Sequence, residues 1–150
     1  MTEPKILIIY ASRTGNTEKL ANAIAEGAKS AGGMRVELKR ARDTKPSDAD
    51  AAAFAFGSYS AFEYMAGELK SLFEDLYPVK DKLVGKPVLL FTTGQGGQSS
   101  VLASIEKVVG IFNPNLVKPG VAVQGAPNDT DKARAREMGR KLGEAGKKAK

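Results

Sequence analysis

Lys5-Ile6-Leu7-Ile8-Ile9-Tyr10-Ala11-Ser12-Arg13-Thr14-Gly15-Asn16-Thr17 is the stretch on which the reading of this chain turns. Its first six residues form a nearly continuous apolar run rich in β-branched side chains, the pattern of a central strand buried on both faces. A turn bearing hydroxyls and one glycine follows. Leu20, Ala23, Ile24, Gly27, Ala28 and Ala31 then recur at helical spacing, and Gly32-Gly33 stops the helix.

The same alternation continues along the chain. Residues 35–39 alternate in polarity, as an edge strand with one wet face does. Residues 51–57 are a second continuous apolar run, ending in Ser58-Tyr59-Ser60. Met65, Leu69, Leu72, Phe73 and Leu76 mark the next amphipathic helix. Residues 87–92 predict a third buried strand, ending in Thr93-Gly94-Gln95-Gly96-Gly97, and Val101, Ile105, Val108, Val109 and Phe112 give another helical face. Residues 117–123 read as a poorer fifth strand, placed at an edge because Pro119 lacks an N–H. Residues 129–148 form a last helix with Ala135, Met138, Leu142 and Gly146 inward. Strands and helices in alternation imply an α/β fold, a doubly wound three-layer sandwich around a five-stranded parallel sheet. Placing the two-sided apolar strands centrally and the other two at the edges gives the order 2-1-3-4-5. The polar segment 43–50 is only a connection, and residues 1–150 read as a single domain.

Composition narrows the chemistry. The chain is 42% apolar and 27% charged, which suits an ordinary globule. It has no cysteine and no histidine. Disulfides, thiolate and His metal sites, His-dependent triads and cysteine nucleophiles are therefore excluded. The carboxylates are not clustered, so no metal site is expected. Met1-Thr2-Glu3-Pro4-Lys5 runs straight into a strand without the apolar core of a leader, and no apolar run approaches the roughly 20 residues of a membrane span. A cytoplasmic location is the expectation, with no membrane partner. Residues 132–150 carry eight basic and two acidic residues, the whole of the +6 net charge. That tail reads either as a solvated helix face with cations at its C-terminal end or as a docking patch for an acidic partner. It has no aromatic residue for stacking, which argues against nucleic acid.

In a doubly wound sheet ligands bind beyond the carboxyl ends of the strands, where the strand order reverses. The loops after the first, third and fourth strands face that point. Ser12-Arg13-Thr14-Gly15-Asn16-Thr17 offers hydroxyls and free N–H groups at a helix N-terminus. It reads as a phosphate-monoester site or, more plainly, as a helix cap. It lacks the lysine of a P-loop and the three glycines of a dinucleotide fingerprint. Ser58-Tyr59-Ser60-Ala61-Phe62-Glu63-Tyr64-Met65 carries Tyr59, Phe62 and Tyr64, either to face a planar ring or to cover the sheet edge. Thr93-Gly94-Gln95-Gly96-Gly97-Gln98 is either a permissive loop lining a flat heterocycle or simply a flexible connection.

Taken together these residues resemble the flavodoxin family. Tyr10-Ala11-Ser12-Arg13-Thr14-Gly15-Asn16-Thr17-Glu18 is similar to the family's FMN-phosphate signature, and residues 50–60 resemble its third strand and first flavin loop. Residues 57–73 and 92–97 resemble the NAD(P)H:quinone reductases of the tryptophan-repressor-binding-protein type. The resemblance implies FMN as cofactor. Ser12, Arg13, Thr14, Gly15, Asn16 and Thr17 would hold its phosphate. Tyr59, Ser60, Ala61 and Phe62 would border the ring and ribityl chain, and Thr92, Thr93, Gly94, Gln95, Gly96 and Gly97 would line the ring's polar edge. No catalytic side chain is implied, because the flavin itself reacts. The chain departs from simple flavodoxins in having no Trp and no aromatic on the third loop, which suits stacking of a nicotinamide or quinone. It departs from the quinone reductases in its compactness and lack of histidine, and from the usual acidic flavodoxins in being basic. An electron carrier between redox partner proteins is the first expectation. An NAD(P)H-dependent quinone or flavin reductase is the alternative, and a fold kept only for interaction is a third. A homo-oligomer stays open.

Overall fold

Alternate residues of a strand point to opposite faces, and in this chain each face meets its own pair of helices. The computed structural model describes residues 4–149. The lead residues Met1-Thr2-Glu3 and the last cation of the basic tail, Lys150, lie outside them. The strands are β1 (Lys5–Tyr10), β2 (Arg35–Arg40), β3 (Ala53–Tyr59), β4 (Pro87–Gly94), β5 (Asn115–Leu116) and β6 (Val121–Gln124). The helices are α1 (Asn16–Ser30), α2 (Gly67–Leu76), α3 (Gln98–Val109) and α4 (Asp129–Ala149). All pairings are parallel, in the order β2-β1-β3-β4, with β5 and β6 both on the outer side of β4.

Ile6, Ile8 and Tyr10 of β1, with Ala53, Ala55, Leu89 and Phe91, pack under α1 and α4. Leu7 and Ile9, with Phe54, Phe56, Val88 and Leu90, pack under α2 and α3. Two-sided burial is why β1, β3 and β4 read as unbroken apolar runs. Val36 and Leu38 of β2 only partly bury, against the α1/α4 side, as expected for an edge. Ala135, Met138, Leu142 and Gly146 of α4 face inward as expected. Gly139 and Gly143 join them, and the helices touch closely there. A methyl on Gly27 would overlap the Arg136 carbonyl, and one on Gly139 the Ile24 carbonyl.

The single fifth strand expected over 117–123 is instead two short strands. β5 pairs with Pro87 and Val88, and β6 with residues 91–94. Between them the chain leaves the ladder around Pro119, which has no N–H to give. Two further boundaries move. Met65 lies before α2 and reaches the core from the preceding loop, and Phe112 lies in a short turn beyond α3.

Candidate functional site

The carboxyl ends of β1, β3, β4 and β6 open onto a cleft of about 570 Å³, within the roughly 300–1,000 Å³ usual for small-ligand sites. Arg13, Thr14 and Asn16 line it from the first loop, Tyr59, Ser60 and Phe62 from the second, and Thr93, Gly94, Gln95 and Gly96 from the third. The three loops that strand order and composition single out therefore meet in one cleft. Glu63 and Gly125 line it as well, and neither was singled out. Gly125 follows β6, and its N–H donates to the Gly94 carbonyl at 3.0 Å, which makes a fourth loop part of the rim.

The first loop is held by its own side chains. Ser12 is buried, and its Oγ accepts the N–H groups of Gly15 at 3.2 Å and Glu18 at 3.4 Å. Gly15 caps α1 with φ at +95°, a conformation that favours glycine. Thr17 is also buried, with its Oγ1 2.7 Å from Thr93 Oγ1. Ser12, Gly15 and Thr17 thus shape the loop and do not line the cleft, whereas Arg13 and Thr14 are exposed to it. The N–H groups of Asn16 and Thr17 have no acceptor among the described residues. Beneath the loop, burial first and then the Glu18 carboxylate raise the pKa of the Tyr10 phenol, which donates to Glu18 Oε2 at 3.1 Å.

The second loop begins later than its composition suggested. Ser58 and Tyr59 still belong to β3, and Ser58 is fully buried. Its Oγ accepts the Ala66 N–H at 2.8 Å and donates to the Tyr59 carbonyl at 2.7 Å. Ala61 and Tyr64 exchange backbone hydrogen bonds of 2.9 and 3.1 Å, so Phe62 and Glu63 form a two-residue hairpin turn. Both lie in the left-handed region, at φ of 56° and 64°, as that turn demands, and for side chains of this size the conformation is costly. Phe62 is fully exposed at the tip and Tyr64 is 45% exposed. Phe62 therefore covers no part of the sheet edge, and Tyr64 does not line the cleft. Ala61 holds the hairpin and does not line the cleft.

Thr92 differs from expectation. It is fully buried within β4, and its hydroxyl donates to the Ser58 carbonyl at 2.6 Å, so it does not reach the cleft. Two glycines of the third loop also serve a purpose that composition did not show. A Cβ on Gly94 would lie 2.9 Å from Ser60 Cβ, and one on Gly97, where φ is +72°, would overlap the Glu63 side chain. The second loop rests on the third at these two points. Gly97 also caps α3 and stays outside the cleft lining.

Three other openings lack this convergence. One of about 620 Å³ lies at the opposite edge of the sheet, where Lys5 pairs with Glu37 at 3.1 Å and Lys82 with Asp50 at 3.2 Å. A second, about 250 Å³, is an apolar groove along the broken β5–β6 edge, and a third, about 240 Å³, lies between α1 and α4. The basic helix α4 starts beyond Gly125, at the cleft edge, and ends at the far edge, where Lys147 Nζ donates to the Ala31 carbonyl at 2.7 Å. Several of its cations are paired, Arg136 with Glu26, Arg140 with Glu137 and Lys147 with Glu144. Among the described residues no helix is long and apolar enough to cross a membrane.

A family model described as Flavodoxin matches residues 8–139. A flavodoxin from Aquifex aeolicus (strain VF5) is 30% identical, over 93% of this chain and 85% of its own length. An NAD(P)H dehydrogenase (quinone) from Geotalea uraniireducens (strain Rf4) is also 30% identical, over 82% of this chain and 72% of its own. Among solved structures, a flavodoxin from the domain Archaea superposes with a TM-score of 0.87 at 22% identity, covering 95% of this chain and 99% of that one.

Proposed function

The chain belongs to the flavodoxin family, and from that premise we propose that it binds FMN in the cleft at the carboxyl ends of its strands and carries electrons between partner proteins. The observation that carries this reading is the meeting, in one cleft, of a helix N-terminus with free N–H groups, an exposed aromatic hairpin and a glycine loop. The donor set fits the cofactor. A phosphate monoester is suited by the Asn16 and Thr17 N–H groups, the Thr14 hydroxyl and the Arg13 guanidinium. Tyr59, Ser60 and Phe62 would border the ring and ribityl chain, and residues 93–96 would meet the ring's polar edge. When bound, FMN supplies one-electron or hydride transfer, and the protein supplies position and electrostatics.

The test is an anaerobic titration of the FMN-loaded protein with dithionite and, separately, with NADPH. A carrier is bleached by dithionite and left coloured by NADPH alone. A second reading, an NAD(P)H-dependent quinone or flavin reductase, is favoured by the absence of any aromatic on residues 93–97 and by the 30% identical NAD(P)H dehydrogenase (quinone). Rapid bleaching by NADPH selects it over the carrier. Colourless protein that ignores added FMN rejects both.

A further inference from the structure

Arg40 ends β2 in register with Tyr10 of β1, beside the first loop. Its guanidinium lies over the Tyr10 ring, 5.8 Å from the ring centre, and its Nη2 donates to the Ser12 carbonyl at 2.8 Å. Tyr10 is in turn bonded to Glu18, whose N–H is held by Ser12 Oγ. Arg40 thereby closes a ring of contacts around the root of the loop. Its side chain makes one hydrogen bond among the described residues, to a carbonyl, and its Nε is sealed from solvent without a partner. A half-buried guanidinium with an orphaned donor is a poor choice for stability alone, since each unsatisfied donor carries its full desolvation cost.

The peptide plane gives the position another use. In a trans peptide the carbonyl and the following N–H point in opposite directions. Holding the Ser12 carbonyl toward Arg40 turns the Arg13 N–H the other way, and that N–H has no acceptor among the described residues. Resting on the FMN reading above, we propose that Arg40 is a positioning residue for the flavin phosphate: it fixes the Ser12–Arg13 peptide with its N–H free, sets a positive charge behind the loop, and so makes the cleft select phosphorylated over unphosphorylated flavin.

The test titrates wild type, Arg40→Lys and Arg40→Met with FMN and with riboflavin, following the quenching of flavin fluorescence, with circular dichroism on each protein. A hydrogen bond and charge directed at an ionised group predict a loss of about tenfold or more in FMN affinity for Arg40→Met, with riboflavin changed by less than about twofold. Arg40→Lys keeps the charge without the planar fork and falls between the two. Inorganic phosphate as a competitor of FMN gives a second readout, and it weakens in parallel. Equal losses for both flavins make Arg40 a general brace and overturn the proposal, as does no loss for either. Should Arg40→Met not fold, the FMN-to-riboflavin ratio of Arg40→Lys decides: a fall supports the proposal and an unchanged ratio overturns it. A wild-type protein that binds neither flavin sinks the FMN reading itself, which is a different result from a variant that binds both equally.

Discussion

Thr17 and Thr93 face each other across the start of α1 and the end of β4, with hydroxyl oxygens 2.7 Å apart and exposures of 1% and 2%. Replacing Thr17 by Val keeps the outline of the side chain and removes the oxygen. The Thr93 hydroxyl is then closed in without a partner, which costs about 1–3 kcal/mol. Thr93→Val has the mirror effect on Thr17. Removing both hydroxyls leaves two apolar groups of similar shape in contact, and such a double replacement is nearly neutral. The double variant is therefore more stable than the sum of the singles predicts, by a coupling above about 1 kcal/mol. In a domain of this size each kcal/mol moves the midpoint by about 2–4 °C, well within the reach of thermal denaturation followed by circular dichroism. Strictly additive losses would refute the bond, and with it the idea that Thr17 is committed to holding the loop.

A methyl at Gly27 or Gly139 meets backbone of the opposing helix, so Gly27→Ala and Gly139→Ala each lose about 1–3 kcal/mol or more in chemical denaturation. Gly67→Ala, where nothing lies within reach and φ is not positive, is the control and costs nothing, its midpoint equal to or above the wild type's. Burial first, and then Glu18, hold the Tyr10 pKa above its ordinary value of 10.0. Folding thus favours the neutral phenol, and its contribution is complete below about pH 10 and lost as pH rises through the folded pKa. Ultraviolet titration should show Tyr10→Phe removing a phenol that ionises above its ordinary value and flattening the alkaline fall in stability. Phe62 is fully exposed, so Phe62→Ala changes stability by less than about 0.5 kcal/mol yet weakens FMN in a fluorescence titration. Unaltered affinity would take the hairpin tip out of the proposed site.

The parallel order was legible because burial on two faces leaves an unmistakable run, as in Ile6–Tyr10 and the Phe54 strand. Strand ends were less so. Ser58, Tyr59, Thr92 and Thr93 look like loop residues, but the β3–β4 ladder pairs them, and the hydroxyls of Ser58, Thr92 and Thr93 find buried partners. The broken outer edge was hidden because Val117, Val121 and Val123 keep the spacing of a strand while Pro119 denies it a hydrogen bond. The glycine seam between α1 and α4 was only partly legible: Gly27 stood in the helical stripe, but its approach to the Arg136 carbonyl, and that of Gly139 to the Ile24 carbonyl, arise only once the sheet has brought the two helices together. In the site, composition picked out three loops. It missed Arg40, Glu63 and Gly125, whose relevance comes from register, a hairpin turn and a neighbouring strand end.

The internal bonds of the first loop change what its hydroxyls imply. Read as sequence, Ser12, Thr14 and Thr17 are three equivalent donors for an anion. In the fold, Ser12 Oγ already accepts two N–H groups and Thr17 is bonded to Thr93. Both act by fixing the loop, and Thr14 is the exposed hydroxyl. On the FMN reading, recognition of the phosphate would then fall mainly to main-chain N–H groups at the start of α1, which no side-chain truncation removes. A site built in this way costs little reorganisation on binding, because its donors are already aimed and dry partners hold them there. Deleting Thr14 alone would consequently weaken FMN only modestly, while any change that lets the Ser12–Arg13 peptide rotate would turn a carbonyl toward the dianion and weaken it far more.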